Sequence, residues 1–147
     1  MVSALAQDGQ PTLTLAEKEF QESMSGVTLN GHYTRQDGNG LSDDKYTIEK
    51  VSKVKGDLWR FETRVQYGAH DVKLPVELQV KWAGDTPVIT LTKLAIPGLG
   101  TFSSRVVLYE GRYAGTWQHD KVGGHLFGTI EKAEDPKKEE PKKEENK

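Results

Sequence analysis

Two stretches of the chain alternate strictly between apolar and polar positions. From Leu58 to Tyr67, one phase carries Trp59, Phe61, Thr63, Val65 and Tyr67, and the other carries Arg60, Glu62, Arg64 and Gln66. From Val72 to Trp82, Val72, Leu74, Val76, Leu78, Val80 and Trp82 alternate with Lys73, Pro75, Glu77, Gln79 and Lys81. A period of two with one apolar phase predicts strands of a sheet with one buried and one wet face. It puts Trp59, Phe61, Val65, Leu74, Val76, Leu78 and Val80 inside. Pro75 falls on the polar phase, and its missing N–H predicts a bulge or a locally unpaired edge there.

Weaker versions of the pattern predict further strands at Val27–Thr34, Lys45–Val54, Pro87–Leu94, Phe102–Tyr109, Arg112–Gln118 and His125–Glu131. Short Gly-, Pro- or Asp-bearing links separate most of them: Gly56-Asp57, Gly68 to Asp71, Gly84-Asp85, Pro97 to Gly100, Glu110-Gly111 and Asp120 to Gly124. Such links reverse the chain and are too short for a parallel crossover, so neighbouring strands are antiparallel. The long connection, Gln36 to Asp44, reads as a mobile polar loop. About eight meandering strands leave two bare edges unless the sheet closes. The expected fold is therefore all-β, an up-and-down antiparallel meander closing into a calycin- or lipocalin-sized barrel. The rivals are a two-layer sandwich and a half-open sheet over a helix.

A helix is available. Thr14 to Met24 begins with a Thr cap and Glu17 three residues on, a capping-box pattern, and Gly26 is a natural stop. Leu15, Phe20 and Met24 form a partial apolar stripe, so the helix is expected to plug or cross one end of the barrel.

The ends of the chain have a different composition. Residues 1–12 read as a signal-peptide remnant and a disordered N-terminus. Ala4 and Ala6 supply the small-x-small form of a signal-peptidase site, which points to export, periplasmic or secreted. Residues 133–147 contain Pro-Lys-Lys-Glu-Glu twice in succession and read as a disordered tail, because they cannot bury enough surface to offset ordering. The domain proper is 13–132. The chain has 147 residues, 35% of them hydrophobic, and a net charge of −2, which gives nucleic acid nothing to bind. Nothing approaches the ~20 apolar residues of a spanning helix. There are no cysteines, so disulfides and thiolate chemistry are excluded.

The polar residues offer little catalytic chemistry. His119, Asp120 and His125 bracket the last hairpin and would hold a metal only if they met across the turn. The simpler reading is turn polarity, which also covers His70-Asp71, and no metal or other cofactor is expected. Glu62 and Glu77 lie on the polar phase, so they read as surface and not as a catalytic pair. Ser103 and Ser104 lack the strand–turn–helix setting of a nucleophile elbow. Gly123-Gly124 precedes no helix and cradles no phosphate. The chain is not expected to be an enzyme.

The aromatic residues are more informative. Trp59, Phe61, Tyr67, Trp82, Phe102, Tyr113, Trp117 and Phe127 are all expected to face inward. Trp117, Trp82, Tyr113 and Phe102 are the candidate ligand contacts, with plain core packing as the competing role. The apolar run Leu94 to Phe102 is placed to cap the barrel mouth. Gly115-Thr116-Trp117 is also a faint echo of the Gly-x-Trp of lipocalin- and avidin-like barrels, which usually carry it on the first strand.

The segments Trp82 to Leu91, Ile96 to Phe102, Arg112 to His119 and Val122 to Gly128 together resemble a family of small exported bacterial proteins of planctomycete type. The resemblance spans about Leu13 to Glu131. It implies export and a single β domain, and it brings no activity with it.

Of three functional classes, an enzyme whose site the sequence does not reveal is the least expected, which leaves two. One is a binding module that takes a small apolar or aromatic molecule into the barrel mouth. The other is a cell-envelope structural or protein-interaction module with a filled interior and an unknown protein partner. An interior cavity of about 300 Å³ or more favours the first.

Overall fold

The computed structural model describes residues 12–133. The expected signal-peptide remnant with its Ala4–Ala6 site, and the expected tail, lie outside the described residues except for Thr12 and Ala133. A helix, α1 (Leu15–Met24), precedes eight strands: β1 (Val27–Tyr33), β2 (Ser42–Lys55), β3 (Leu58–Tyr67), β4 (His70–Ala83), β5 (Thr86–Ile96), β6 (Gly100–Tyr109), β7 (Arg112–His119) and β8 (Val122–Lys132). Each strand pairs antiparallel with the next, and β8 pairs with β1, so the sheet is a closed barrel. The meander and its closure agree with the alternation and the short turns. Among the described residues, no helix is long and apolar enough to cross a membrane.

The inward phase is the predicted one in the two clearest strands. Trp59, Phe61 and Val80 are buried, and Val76 and Leu78 pack against the same core. Cross-strand pairs share a face, so the ladder extends this assignment around the barrel. Phe61 sits opposite Val51 and Val76, Ile89 opposite Val80 and Val106, and Leu126 opposite Tyr33.

The β4–β5 ladder is the short one. It pairs Gln79–Ala83 with Thr86–Thr90. Residues 70–78 of β4 and 91–96 of β5 run on without laddering to each other. Pro75 pairs in register with Glu62 of β3 but lies inside this unladdered stretch, so the predicted unpaired edge is present. A bulge at Leu91–Leu94 shifts the register of the β5–β6 ladder, which resumes at Leu94 and Phe102.

Helix α1 has the expected capping box: Glu17 N–H donates to Thr14 Oγ1 (3.1 Å) and Thr14 N–H to Glu17 Oε1 (2.9 Å). The other Glu17 oxygen accepts from Lys53 Nζ of β2 at 2.8 Å, with both side chains largely shielded from water. One carboxylate thus caps the helix and ties it to the barrel. Phe20 points into the barrel end, with its ring 4.9 Å from Trp59, 5.7 Å from Trp82 and 6.3 Å from Phe61, all edge-on. Leu15 corrects the predicted stripe. It is 83% exposed, because five residues of helix turn it well away from Phe20. Leu13, just before the cap, packs on the core in its place.

Two further corrections concern phase. Phe127 was expected inside but is on the outer face, 41% exposed, with its ring near His32. The inward positions of β8 are Gly124, Leu126, Gly128 and Ile130, so the apolar phase of this strand is partly glycine. Asp44 ends the expected polar loop Gln36–Asp44 but lies within β2, faces inward and is 4% exposed.

These two corrections share a cause. Tyr113 of β7 is paired with Gly128, Gly128 with Gly31, and Gly31 with Asp44. The two glycines leave the barrel wall bare between them, and the Tyr113 ring crosses that space to donate its hydroxyl to Asp44 Oδ1 at 3.1 Å. A Cβ on Gly31 would lie 2.5 Å from the Tyr113 hydroxyl and would collide with the Phe127 carbonyl and Gly128 Cα. Two of those obstacles are backbone, so they cannot rotate away. Gly31→Ala is expected to lower stability by about 2 kcal/mol or more, read by urea denaturation. An effect within ~0.5 kcal/mol would show that the wall is not closed there.

Candidate functional site

The barrel is filled at one end and hollow at the other. At the helix end, Phe20, Met24, Trp59, Val80 and Leu108 close the interior. Toward the opposite mouth lies a cavity of about 260 Å³. That mouth is formed by the β1–β2, β3–β4, β5–β6 and β7–β8 connections. The cavity is slightly smaller than the ~300 Å³ that marks the low end of ordinary ligand pockets, and its walls are overwhelmingly apolar.

The aromatic residues at the mouth pack edge to face. Tyr33 stands 5.8 Å from Trp117 and 6.3 Å from Tyr67, both near perpendicular. Phe102 lies flat on His119, with ring centres 4.2 Å apart. Such contacts hold rings in fixed orientations beyond what area alone provides. Trp117 is fixed further by its Nε1–H, which donates to the Thr34 carbonyl at 3.1 Å across the β8 backbone at Gly124. Glycine is needed there, since a Cβ on Gly124 would strike the Thr34 carbonyl. From the β5–β6 side, Ile96 and Leu99 reach the cavity, so the apolar run expected to cap the mouth does border it. Leu74, Val76, Leu91 and Ile96 line the cavity too, and they flank the unladdered part of the β4–β5 seam.

Of the four residues singled out from the sequence, Trp117, Tyr113 and Phe102 line this cavity. Trp82 does not join them. It packs on Phe20 at the helix end and borders an open groove of about 450 Å³ there, shared with Glu19, Asp85, Glu131 and Lys132. Strand phase predicts which face a residue takes but not which end of the barrel it reaches. Of the cavity's other aromatics, Tyr67 is among those expected to face inward, whereas Tyr33 and Tyr46 are ones the sequence reading did not name. Their alternation with polar neighbours was the available signal.

The hairpin histidines are not brought to one point. His119 faces inward and sits 3.4 Å from Asp120 Oδ2. His125 is opposite Thr116 on the outer face, so His119 and His125 lie on opposite sides of the sheet. No group of three potential metal ligands occurs among the described residues. Glu62 and Glu77 are on the outer face, paired with Arg60 at 2.8 and 3.7 Å.

The polar feature that sequence reasoning missed lies in the wall of the cavity, where Tyr46 and Tyr113 line it with Asp44 behind them. Asp44 accepts from Tyr46 at Oδ2 (3.0 Å) and from Tyr113 at Oδ1 (3.1 Å). Burial raises the Asp44 pKa, and the two tyrosine hydrogen bonds only partly offset this. Burial first, and then the charge of Asp44, push both tyrosine hydroxyls up, so they stay protonated and donate.

No family model, curated protein or solved structure matches the chain.

Because Asp44 binds its proton more tightly folded than unfolded, its stabilising contribution is present in acid and lost as pH rises through its elevated pKa. Asp44→Asn keeps the shape, and its amide offers one acceptor and one donor to the two hydroxyls. In denaturation series from about pH 3 to 8, this variant should gain stability over the parent as pH rises, and the gain should vanish below the ordinary aspartate range near ~3.9. Asp44→Ala strands two buried hydroxyls and should lose about 2–4 kcal/mol throughout. A pH-independent difference between Asn and Asp would contradict the burial of this carboxyl.

Proposed function

We propose that the protein works by binding, taking one small apolar molecule into the mouth half of the barrel. The observation that carries this reading is the apolar cavity of about 260 Å³ behind Tyr33, Tyr67, Phe102 and Trp117. A void lined by side chains that touch nothing on one side forfeits dispersion contacts. An apolar guest restores them without any change in the fold. Rings already held edge to face by their neighbours lose little freedom when they enclose a ligand.

Binding is favoured over turnover because the polar side chains at the cavity wall are mostly engaged within the protein. Ser104 Oγ donates to the Thr116 carbonyl (2.8 Å), and Thr63 Oγ1 to the Leu74 carbonyl (2.9 Å). Ser103 Oγ accepts from the Lys93 N–H (2.8 Å). Arg35 grips Asp37 through two hydrogen bonds of 2.9 Å. None of these pairs is a nucleophile with its base. Export, supported by the Ala4–Ala6 pattern, completes the reading: a binding module working outside the cytoplasm.

A small neutral naphthalene-type fluorophore should bind saturably at one site per chain and quench Trp117. Leu91→Trp fills the cavity and should abolish binding while leaving the far-ultraviolet circular dichroism intact. Trp117→Ala should cost well under the about 3–5 kcal/mol expected of a fully packed aromatic. Non-saturable probe uptake together with severe destabilisation by Trp117→Ala would favour the filled, structural module instead.

A further inference from the structure

We propose that the ligand enters and leaves the cavity sideways, through the slit between β4 and β5, and not past the aromatic rings at the mouth. This rests on the binding function proposed above and adds its route. The β4–β5 ladder ends at the Gln79–Thr90 pair. Beyond it, residues 70–78 of β4 and 91–96 of β5 border the slit without pairing to each other. Leu74, Val76 and Leu78 on one side and Leu91 and Ile96 on the other line the cavity. The cavity therefore meets the wall where the wall has no cross-strand ladder. Parting the strands there breaks no ladder hydrogen bond. Passage at the mouth would disturb Tyr33 and Trp117, which are packed edge to face, and the Trp117 bond to the Thr34 carbonyl.

Both edges of the slit are held from their far sides. Tyr67 and His70 flank the two-residue turn Gly68-Ala69, so this closing pair exchanges both of its hydrogen bonds, as does every second pair beyond it. The even positions of β4 thus bond toward β3, and Val80 N–H accordingly donates to the Asp57 carbonyl, just before β3, at 2.8 Å. The odd positions Asp71, Lys73, Pro75 and Glu77 turn their backbone to the slit. Across it, the end of β5 is held by β6. Lys93 N–H donates to Ser103 Oγ at 2.8 Å, and Arg105 donates to the Leu91 carbonyl at 2.9 Å and to Thr92 Oγ1 at 3.0 Å. Lys93 adopts a φ of 52°, a left-handed conformation that is costly for lysine. It lies in the bulge bordering the slit.

The other long overhang of the barrel is treated differently. Residues 49–55 of β2 run beyond the β1 ladder, and the helix segment covers them. Val51 N–H donates to Ser25 Oγ at 3.0 Å, and Lys53 Nζ to Glu17 at 2.8 Å. Among the described residues, no hydrogen bond from another element reaches the slit-facing backbone of Asp71, Lys73, Pro75 or Glu77. Nor is this edge suited to receive an added strand. Pro75 stands in the middle of it and offers no N–H. An edge that is neither covered nor fit for pairing, with a cavity directly behind it, is suited to passage.

The chain has no cysteine, so a pair introduced by Lys73→Cys and Ala95→Cys is unique. These two exposed positions lie on opposite sides of the slit, and a short bismaleimide can staple them. Binding of acedan, a neutral naphthalene ketone, is followed by stopped-flow quenching of tryptophan fluorescence. The staple should slow association and dissociation together by about tenfold or more and leave equilibrium affinity within about twofold, since the cavity is unchanged. The same double variant capped with N-ethylmaleimide should keep the parent rates. Tyr33→Leu opens the mouth and should leave the association rate within about twofold of the parent. Rates that the staple does not change, or an association rate raised about tenfold by Tyr33→Leu, would overturn the side entry while the binding function stands. If acedan does not bind the parent saturably, the binding function itself falls.

Discussion

The hydrogen bond from Tyr113 to Asp44 is the interaction on which the rest of the barrel depends. It spans the seam where the meander closes, from β7 over β8 and β1 to β2. Closing a sheet brings its first and last strands together at the greatest sequence separation, so this seam carries the largest loop-closure entropy. Gly31 and Gly128 leave the wall without side chains along that line, and the tyrosine ring fills it. The carboxylate at the far end fixes both Tyr113 and Tyr46. Both rings line the cavity wall. The cost is a buried acid, tolerated because each of its oxygens is hydrogen-bonded.

The two ends of the barrel follow from what each is given to bury. At one end the helix brings Phe20 and Met24 to strand residues that include Trp59 and Val80, and large rings meet edge to face, with the remaining space an open groove beside the helix. Glu17 keeps the helix in place by serving its own N-terminus and Lys53 together. At the other end no helix enters. The strands carry medium aliphatics such as Val65, Leu74, Val76 and Leu91, and the aromatics sit at the rim. Rings at the rim with short side chains below them make a void with a mouth.

The sheet was legible in the sequence wherever the apolar phase was made of large residues. The Leu58–Tyr67 strand matches its predicted limits, and the face assignment of Trp59, Phe61, Val76 and Val80 follows from alternation alone. Pro75 correctly marked an edge. The reading failed where glycine took the inward phase. In β8, Gly124 looks like turn chemistry, Gly128 has no side chain to mark a face, and Phe127 looks like the core residue, so alternation phases the strand by its most conspicuous side chain. Asp44 failed for the complementary reason. A carboxylate beside a Gly- and Asp-rich loop looks solvated, and only the partner tyrosines, one of them 69 residues away in sequence, explain its burial. The candidate site was legible in part. Trp117, Tyr113 and Phe102 share an inward phase and a cavity, whereas Trp82 shares the phase but sits at the opposite end. Periodicity carries no information about height along a barrel. That depends on strand stagger, which bulges such as the one at Leu91–Leu94 reset.

One half of the interior is hollow and apolar while the other is filled. A crystal structure under xenon pressure measures this most directly, because xenon enters dry apolar voids and is a strong scatterer. Xenon density is expected in the mouth half, bounded by Leu91, Phe102 and Trp117, and none among Phe20, Trp59 and Trp82. Xenon at the helix end, or an interior with no xenon at all, would contradict it.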